Sequence, residues 1–209
     1  VRLIKYTHAC VRVEHEGRHL VIDPGVWAEP AALQGVSDVL VTHEHFDHVN
    51  ADTLAAAIKL NPVLKVYTHQ SVAEQLAVLG DAIVAVAPGE TFTAAGFTVR
   101  VVGGEHAEIY DGLPGCANIG FIIDENVYHP GDSFFVPQGQ VQTLLVPASA
   151  PWLKLSEALD FARAVKPARA IPIHDAMLSQ LGLDNFDRWM GMKADTEYSR
   201  VPIGGSIEI

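Results

Sequence analysis

Six consecutive residues, His43-Glu44-His45-Phe46-Asp47-His48, place three imidazoles and the Asp47 carboxylate directly after the apolar run Asp38-Val39-Leu40-Val41. At about 100° per residue, a helix would turn His43 and His45 roughly 200° apart, too far to share one ligand. In an extended or turning loop, residues two apart fall on one side. His43 and His45 then converge, and Asp47 and His48 are free to turn toward a neighbouring position. Further candidates stand where other apolar runs stop: His106 after Gly103-Gly104, Asp132 after Gly131, and His174 after Ile171-Pro172-Ile173. Loops carried on a rigid sheet are where functional side chains concentrate. A set made only of imidazole nitrogen and carboxylate oxygen suits Zn²⁺, Mn²⁺ or Fe²⁺ and leaves positions open for water.

The rest of the chain supplies the sheet and its cover. Branched apolar runs at 19–22, 38–41, 97–102, 119–123, 143–146 and 170–173 each end in a turn signal and read as strands. Ser71-Val72-Ala73-Glu74 has capping-box spacing and opens a helix continuing through Leu76 and Leu79. Leu155, Ala158, Leu159, Ala162 and Val165 fall at helical spacing until Pro167 stops them, and 52–59 and 185–192 give two more helices. No Pro-, Gly- or Ser-rich linker divides the chain, so one domain over 1–209 is expected, its two similar halves meeting near 95–105.

Composition narrows the partners. With 49% hydrophobic and 19% charged residues among 209, the chain has material for a sizeable core. Lys plus Arg number 14 against 25 Asp plus Glu, and the net charge of −11 argues against a phosphate-backbone binder. A bound metal can invert the local field, so an acidic small molecule stays open as substrate. Cys10 and Cys116 are too few for a disulfide scaffold or a Cys-rich zinc module. No apolar run approaches the roughly 20 residues that span a bilayer, and the opening Val1-Arg2-Leu3-Ile4-Lys5-Tyr6 has no signal-peptide character. A soluble, cytoplasmic protein acting on a small molecule is expected, with neither nucleic acid nor membrane as partner.

The pattern His43-x-His45-x-Asp47-His48, followed by His106, Asp132 and His174, resembles the metallo-β-lactamase superfamily in order, type and spacing. Thr7-His8-Ala9-Cys10 with Val21-Ile22-Asp23-Pro24, and His129-Pro130-Gly131-Asp132-Ser133, look like its small bacterial branch of metal-dependent hydrolases and ascorbate-phosphate lactonases. That resemblance implies an α+β fold, a four-layer αββα sandwich of two mixed β-sheets flanked by helices. It also implies a dinuclear site: His43, His45 and His106 on one metal, Asp47, His48 and His174 on the other, and Asp132 bridging. Two divalent ions are implied, Zn²⁺ first, with Mn²⁺ and Fe²⁺ as alternatives. The implied activity is hydrolysis of a small-molecule lactone, ester or phosphodiester by metal-activated hydroxide, with Asp47 and His174 as the catalytic residues. A non-catalytic metal-binding or sensor protein that keeps the same ligands is the alternative.

Other residues carry weaker signals. His8, Tyr110 and Asn118 are candidate substrate contacts, and Trp27 is a second candidate for the mouth. Asp23 reads as a turn former before Pro24 or as an outer acceptor for a ligand imidazole. His129 reads equally as a neighbour of Asp132 or as core packing, while His15, His19 and His69 read as residues without a role.

Overall fold

The computed structural model describes residues 1–113 and 115–209. Its central strands are apolar on both faces because each is covered twice, which is why their sequence runs are continuous rather than alternating. Leu20, Ile22 and Leu40 point into one apolar cluster, while Val21, Val39 and Val41 point into another on the opposite face. Likewise Phe121, Leu145 and Ile171 share the first cluster, whereas Ile122, Leu144 and Ala170 join a third. The first cluster lies between two sheets, and the other two lie under helices. The order of layers is therefore helix, sheet, sheet, helix.

One sheet holds β1 (Arg2–Lys5), β2 (Val11–His15), β3 (Arg18–Ile22), β4 (Asp38–Val41), β5 (Lys65–Thr68), β6 (Ile83–Ala85) and β14 (Ser206–Glu208), in the order β14-β1-β2-β3-β4-β5-β6. The other holds β7 (Thr91–Ala94), β8 (Phe97–Glu105), β9 (Ala117–Ile123), β10 (Val127–His129), β11 (Thr143–Pro147), β12 (Arg169–Ile173) and β13 (Glu197–Tyr198), in the order β13-β12-β11-β10-β9-β8-β7. Pairing is antiparallel from β14 to β3 and parallel from β3 to β6. The second sheet repeats this, antiparallel from β7 to β10 and parallel from β10 to β13. The chain passes from one sheet to the other between Ala85 and Thr91, and residues 97–105 are the long strand β8.

Helices α1 (Ala51–Leu60), α2 (Gln70–Gln75), α3 (Leu155–Val165) and α4 (Gln180–Lys193) complete the outer layers. α3 has the boundaries its apolar spacing predicts: Glu157 accepts from the Lys154 N–H, and Lys166 ends it in a left-handed conformation. Two others differ from the sequence reading. α2 is capped by His69, whose ring accepts from the Ser71 N–H, and it stops after six residues; the chain then turns through a 3-10 segment broken at Gly80. α4 begins five residues before 185, where Ser179 accepts from the Gly182 N–H. Gly182 is a weak helix former, so the sequence alone starts this helix too late.

Phe121 is fully buried between the sheets, whereas Leu60 is 88% exposed. Phe121→Ala is expected to lower unfolding stability by about 3–5 kcal/mol, and Leu60→Ala to change it by less than about 0.5. Denaturant titration of the two variants checks this.

Candidate metal centre

The residues singled out in the sequence stand at strand ends along one edge of the sandwich. β4 ends at Val41 and delivers the loop that carries His43, His45, Asp47 and His48. β8 delivers His106, β10 leads into Asp132, and β12 delivers His174, whose φ is +55°. Their donor atoms gather in two groups, each within 4.8 Å: His43, His45, His106 and Asp132 form one, and His8, Asp47, His48 and His174 the other. Asp132 reaches both, with Oδ1 3.1 Å from His48 Nε2 and Oδ2 3.1 Å from His174 Nε2 and 3.4 Å from His106 Nε2. Seven expected ligand positions thus come together, and His8 joins them.

Each imidazole spends one nitrogen on an outer partner and turns the other inward. His48 Nδ1 donates to Asp23 Oδ2 at 2.7 Å. Thr42 Oγ1 donates to the same oxygen at 2.7 Å, which leaves it to accept from His43 Nδ1 at 3.0 Å. The Thr42 N–H fills Asp23 Oδ1 at 2.8 Å. His106 Nδ1 donates to the Ala107 carbonyl and His174 Nδ1 to the Ser149 carbonyl. His45 Nε2 lies 3.9 Å from Cys116 Sγ. Such partners fix which ring nitrogen is the free acceptor.

What the inward nitrogens lack is a partner. His48 Nε2, His106 Nε2, His174 Nε2 and Asp132 Oδ1 are buried and make no hydrogen bond. His43 Nε2 and His45 Nδ1 face each other at 3.0 Å, two acceptors with nothing to share unless a cation or proton sits between them. Leaving buried acceptors unmet costs about 1–3 kcal/mol each. A nitrogen and oxygen donor set of this kind fits one or two divalent transition metals.

The charges divide the imidazoles: His43 and His45 are pushed toward the neutral form, whereas the carboxylates beside His48 and His174 favour the protonated form of those two while no metal is bound. Burial pushes the carboxyls of Asp47 and Asp132 up, but the surrounding imidazoles outweigh it and hold both well below the usual range. Burial and the neighbouring His48 push His43 well down, and burial with His106 pushes His45 down. For His174, Asp132 and Asp47 overcome burial and raise it to about 9.

Close packing holds these loops. A Cβ on Gly25 would stand 2.0 Å from the Asp47 carbonyl oxygen, so the Asp23-Pro24-Gly25 turn lies directly against the ligand loop. Lys5 is wholly buried, its Nζ donating to the Tyr6 and His8 carbonyls and to Asp175, which ties the His8 turn to the residue after His174. His129 is packed in the core: Nε2 donates to the Ala9 carbonyl at 2.9 Å and Nδ1 accepts from the Gly131 N–H. Asn118 departs from its expected role. It is fully buried, donating to the Pro130 carbonyl and accepting from the Asp132 N–H at 2.9 Å, so its amide positions Asp132 and has no end left for substrate.

His8, the second candidate substrate contact, is also buried. Its Nδ1 accepts from the Ala176 N–H, so Nε2 carries the proton and donates to Asp47 Oδ2 at 3.0 Å. Tyr110 is exposed in the loop after His106, and Trp27 packs edge-on against His8 with centroids 4.9 Å apart. The sequence reading missed Trp152, whose indole donates to Asp132 Oδ2 at 3.2 Å, and the roles of Thr42, Ser149 and Lys5. His69, read as idle, caps α2.

Asp23→Asn keeps the side-chain volume and tolerates the φ of +51° found there, but an amide, with one oxygen in place of two, cannot accept from the Thr42 N–H, the Thr42 hydroxyl and His48 together. Metal affinity is expected to fall roughly 10- to 100-fold, with circular dichroism unchanged. Competition with a chromogenic chelator measures it.

Residues 2–174 match the family described as Beta-lactamase superfamily domain. Protein Rv0786c of Mycobacterium tuberculosis is 38% identical over 185 residues, covering 86% of either chain. A UPF0173 metal-dependent hydrolase of Methanocaldococcus jannaschii, MJ1163, is 30% identical over 186 residues, which is 81% of this chain and 82% of its own. Among solved structures, Igni18, a metallo hydrolase from Ignicoccus hospitalis, superposes with a TM-score of 0.76 at 18% identity, over 100% of this chain and 99% of that one. No helix among the described residues is long and apolar enough to cross a membrane. A family match of this extent settles kinship: the chain belongs to the β-lactamase superfamily domain family, on the metallo-β-lactamase fold.

Proposed function

We propose that this protein is a metal-dependent hydrolase of small molecules, working at a dinuclear centre. One observation carries the reading: five imidazoles are each fastened from outside and turn their other nitrogen toward a common space. Relatives named metal-dependent hydrolases support it. His43, His45 and His106 would hold one ion and Asp47, His48 and His174 the other, with Asp132 shared. Zn²⁺ is the ion proposed for both. When bound, such ions polarise a substrate oxygen and lower the pKa of water toward about 7. The lactone, ester and phosphodiester classes all fit this chemistry.

The chain's own groups have distinct tasks in it. Asp47, anchored on one side by the His8 Nε2–H, would orient the attacking water. His8 keeps that carboxylate from swinging, since its own Nδ1 is held by the backbone of Ala176. Trp152 fixes one oxygen of Asp132 and covers the centre from the side of His106 and His174. The whole of 1–209 is proposed to act as one domain of two like halves, because both halves supply ligand positions.

Removal of metal by chelation is expected to abolish hydrolysis of a lactone, ester and phosphodiester panel, and Zn²⁺ to restore it. A metal-loaded protein that turns over none of the panel would favour the binding or sensor alternative. Asp47→Asn preserves volume in a loop outside the three apolar clusters. It is expected to stay folded while losing at least about 100-fold in turnover, as expected for a misplaced nucleophile. Rate, metal content and circular dichroism together check this.

A further inference from the structure

We infer that the substrate bears no negative charge on the part held away from the reacting bond: its body is apolar and either neutral or cationic. The inference rests on the hydrolase reading above and adds the substrate's charge class to it. Two cavities open onto His106, whose side chain is 2% exposed and whose Nε2 has no partner. One, of 450 Å³, is lined on its polar side by Glu44, His45 and Glu108; the other, of 660 Å³, has Glu105 beside Phe134 and Phe135. Both have the size of small-ligand sites, about 300–1,000 Å³.

Among the described residues, no Lys or Arg lines either cavity. Lys5, which reaches the His8 turn, is wholly buried and its ammonium is spent on two carbonyls and Asp175. A carboxylate or phosphate reaching away from the centre would therefore meet two carboxylates in the first cavity or one in the second, and find no ammonium or guanidinium in either. Recognition of such anions ordinarily uses Arg forks or Lys charges. An unpaired anion desolvated there is penalised, and like-charge juxtaposition rejects it further.

Exposed apolar side chains stand in the cavities and beside the other ligand group. Leu113 lines the first cavity and Phe135 the second, and exposed Trp27 joins exposed Phe46 to His8 through edge contacts with centroids 5.5 and 4.9 Å apart. Exposed apolar side chains gathered around a polar centre mark a binding surface. The centre is built for a polar reacting group, and its surroundings for a body without anionic charge.

Three hydroxamates test this without turnover: hexanohydroxamate, its analogue ending in a carboxylate, and its analogue ending in an ammonium. Each presents the same metal-binding head to Zn²⁺-loaded protein, and calorimetry reads the effect of the tail alone. The carboxylate-tailed probe is expected to bind at least about tenfold more weakly than the neutral one, and the ammonium-tailed probe as well as the neutral one or better. The gap should narrow in high salt and in a Glu44→Gln/Glu108→Gln variant. Equal or tighter binding of the carboxylate-tailed probe overturns the inference, as does failure of all three to bind. If the order of affinities holds but no ester or lactone is hydrolysed, the hydrolase reading fails and the charge class stands.

Discussion

The Asp23 carboxylate is the constraint on which the centre depends. It is fully buried, and an isolated charge there would cost several kcal/mol. Three donors meet it: the Thr42 N–H, the Thr42 hydroxyl and His48 Nδ1. Through them one side chain fixes His48 directly and His43 by way of Thr42, one imidazole in each of the two ligand groups. The backbone yields to this arrangement. Asp23, His8 and His174 all adopt left-handed φ values, which cost non-glycine residues about 1–2 kcal/mol apiece. Such strain persists where surrounding contacts over-determine it. Here the contacts are the Asp23 hydrogen bonds, the Lys5 clamp and the tight approach of Gly25 to the Asp47 backbone.

Much of this was legible in the sequence because it is local. His43 to His48 lie within six residues, and the period-two argument needs no knowledge of the rest of the chain. The double-faced strands were visible as continuous branched runs, and α3 as a helical stripe ended by Pro167. Outer partners were harder to see. Ala107 and Ser149 act through main-chain carbonyls, which every residue has, so no side-chain pattern announces them. Lys5 looks like a surface lysine until the His8 turn and Asp175 are brought around it. Asn118 shows the same limit: the sequence allows a substrate contact or a turn role, and only the fold shows its amide used up on backbone groups of the turn that carries Asp132.

The division of labour between rigid and variable parts follows the layers. Ligand-bearing segments start from strands whose alternate residues are locked in two clusters at once, so a displaced imidazole would disturb packing on both faces. Trp27, Tyr110 and Phe135 sit instead on connecting segments. Under the proposed function, chemistry and selectivity could therefore change independently, the first resisting substitution and the second open to it.

The repeated order of the sheets has a consequence for how the protein comes apart. β3 and β10 are the strands at which antiparallel pairing gives way to parallel pairing, and Asp23 and His129 each precede a Pro-Gly pair at their ends. Their side chains meet across the seam, His129 Nε2 lying 3.8 Å from Asp23 Oδ2. Each ligand group draws from both sheets: His43 and His45 meet His106 and Asp132, and His8, Asp47 and His48 meet His174. Neither half owns a complete set, so neither can keep either candidate group whole after the other has unravelled. Ions held there would act as sutures between the halves, and metal retention would count the molecules whose sheets are still docked.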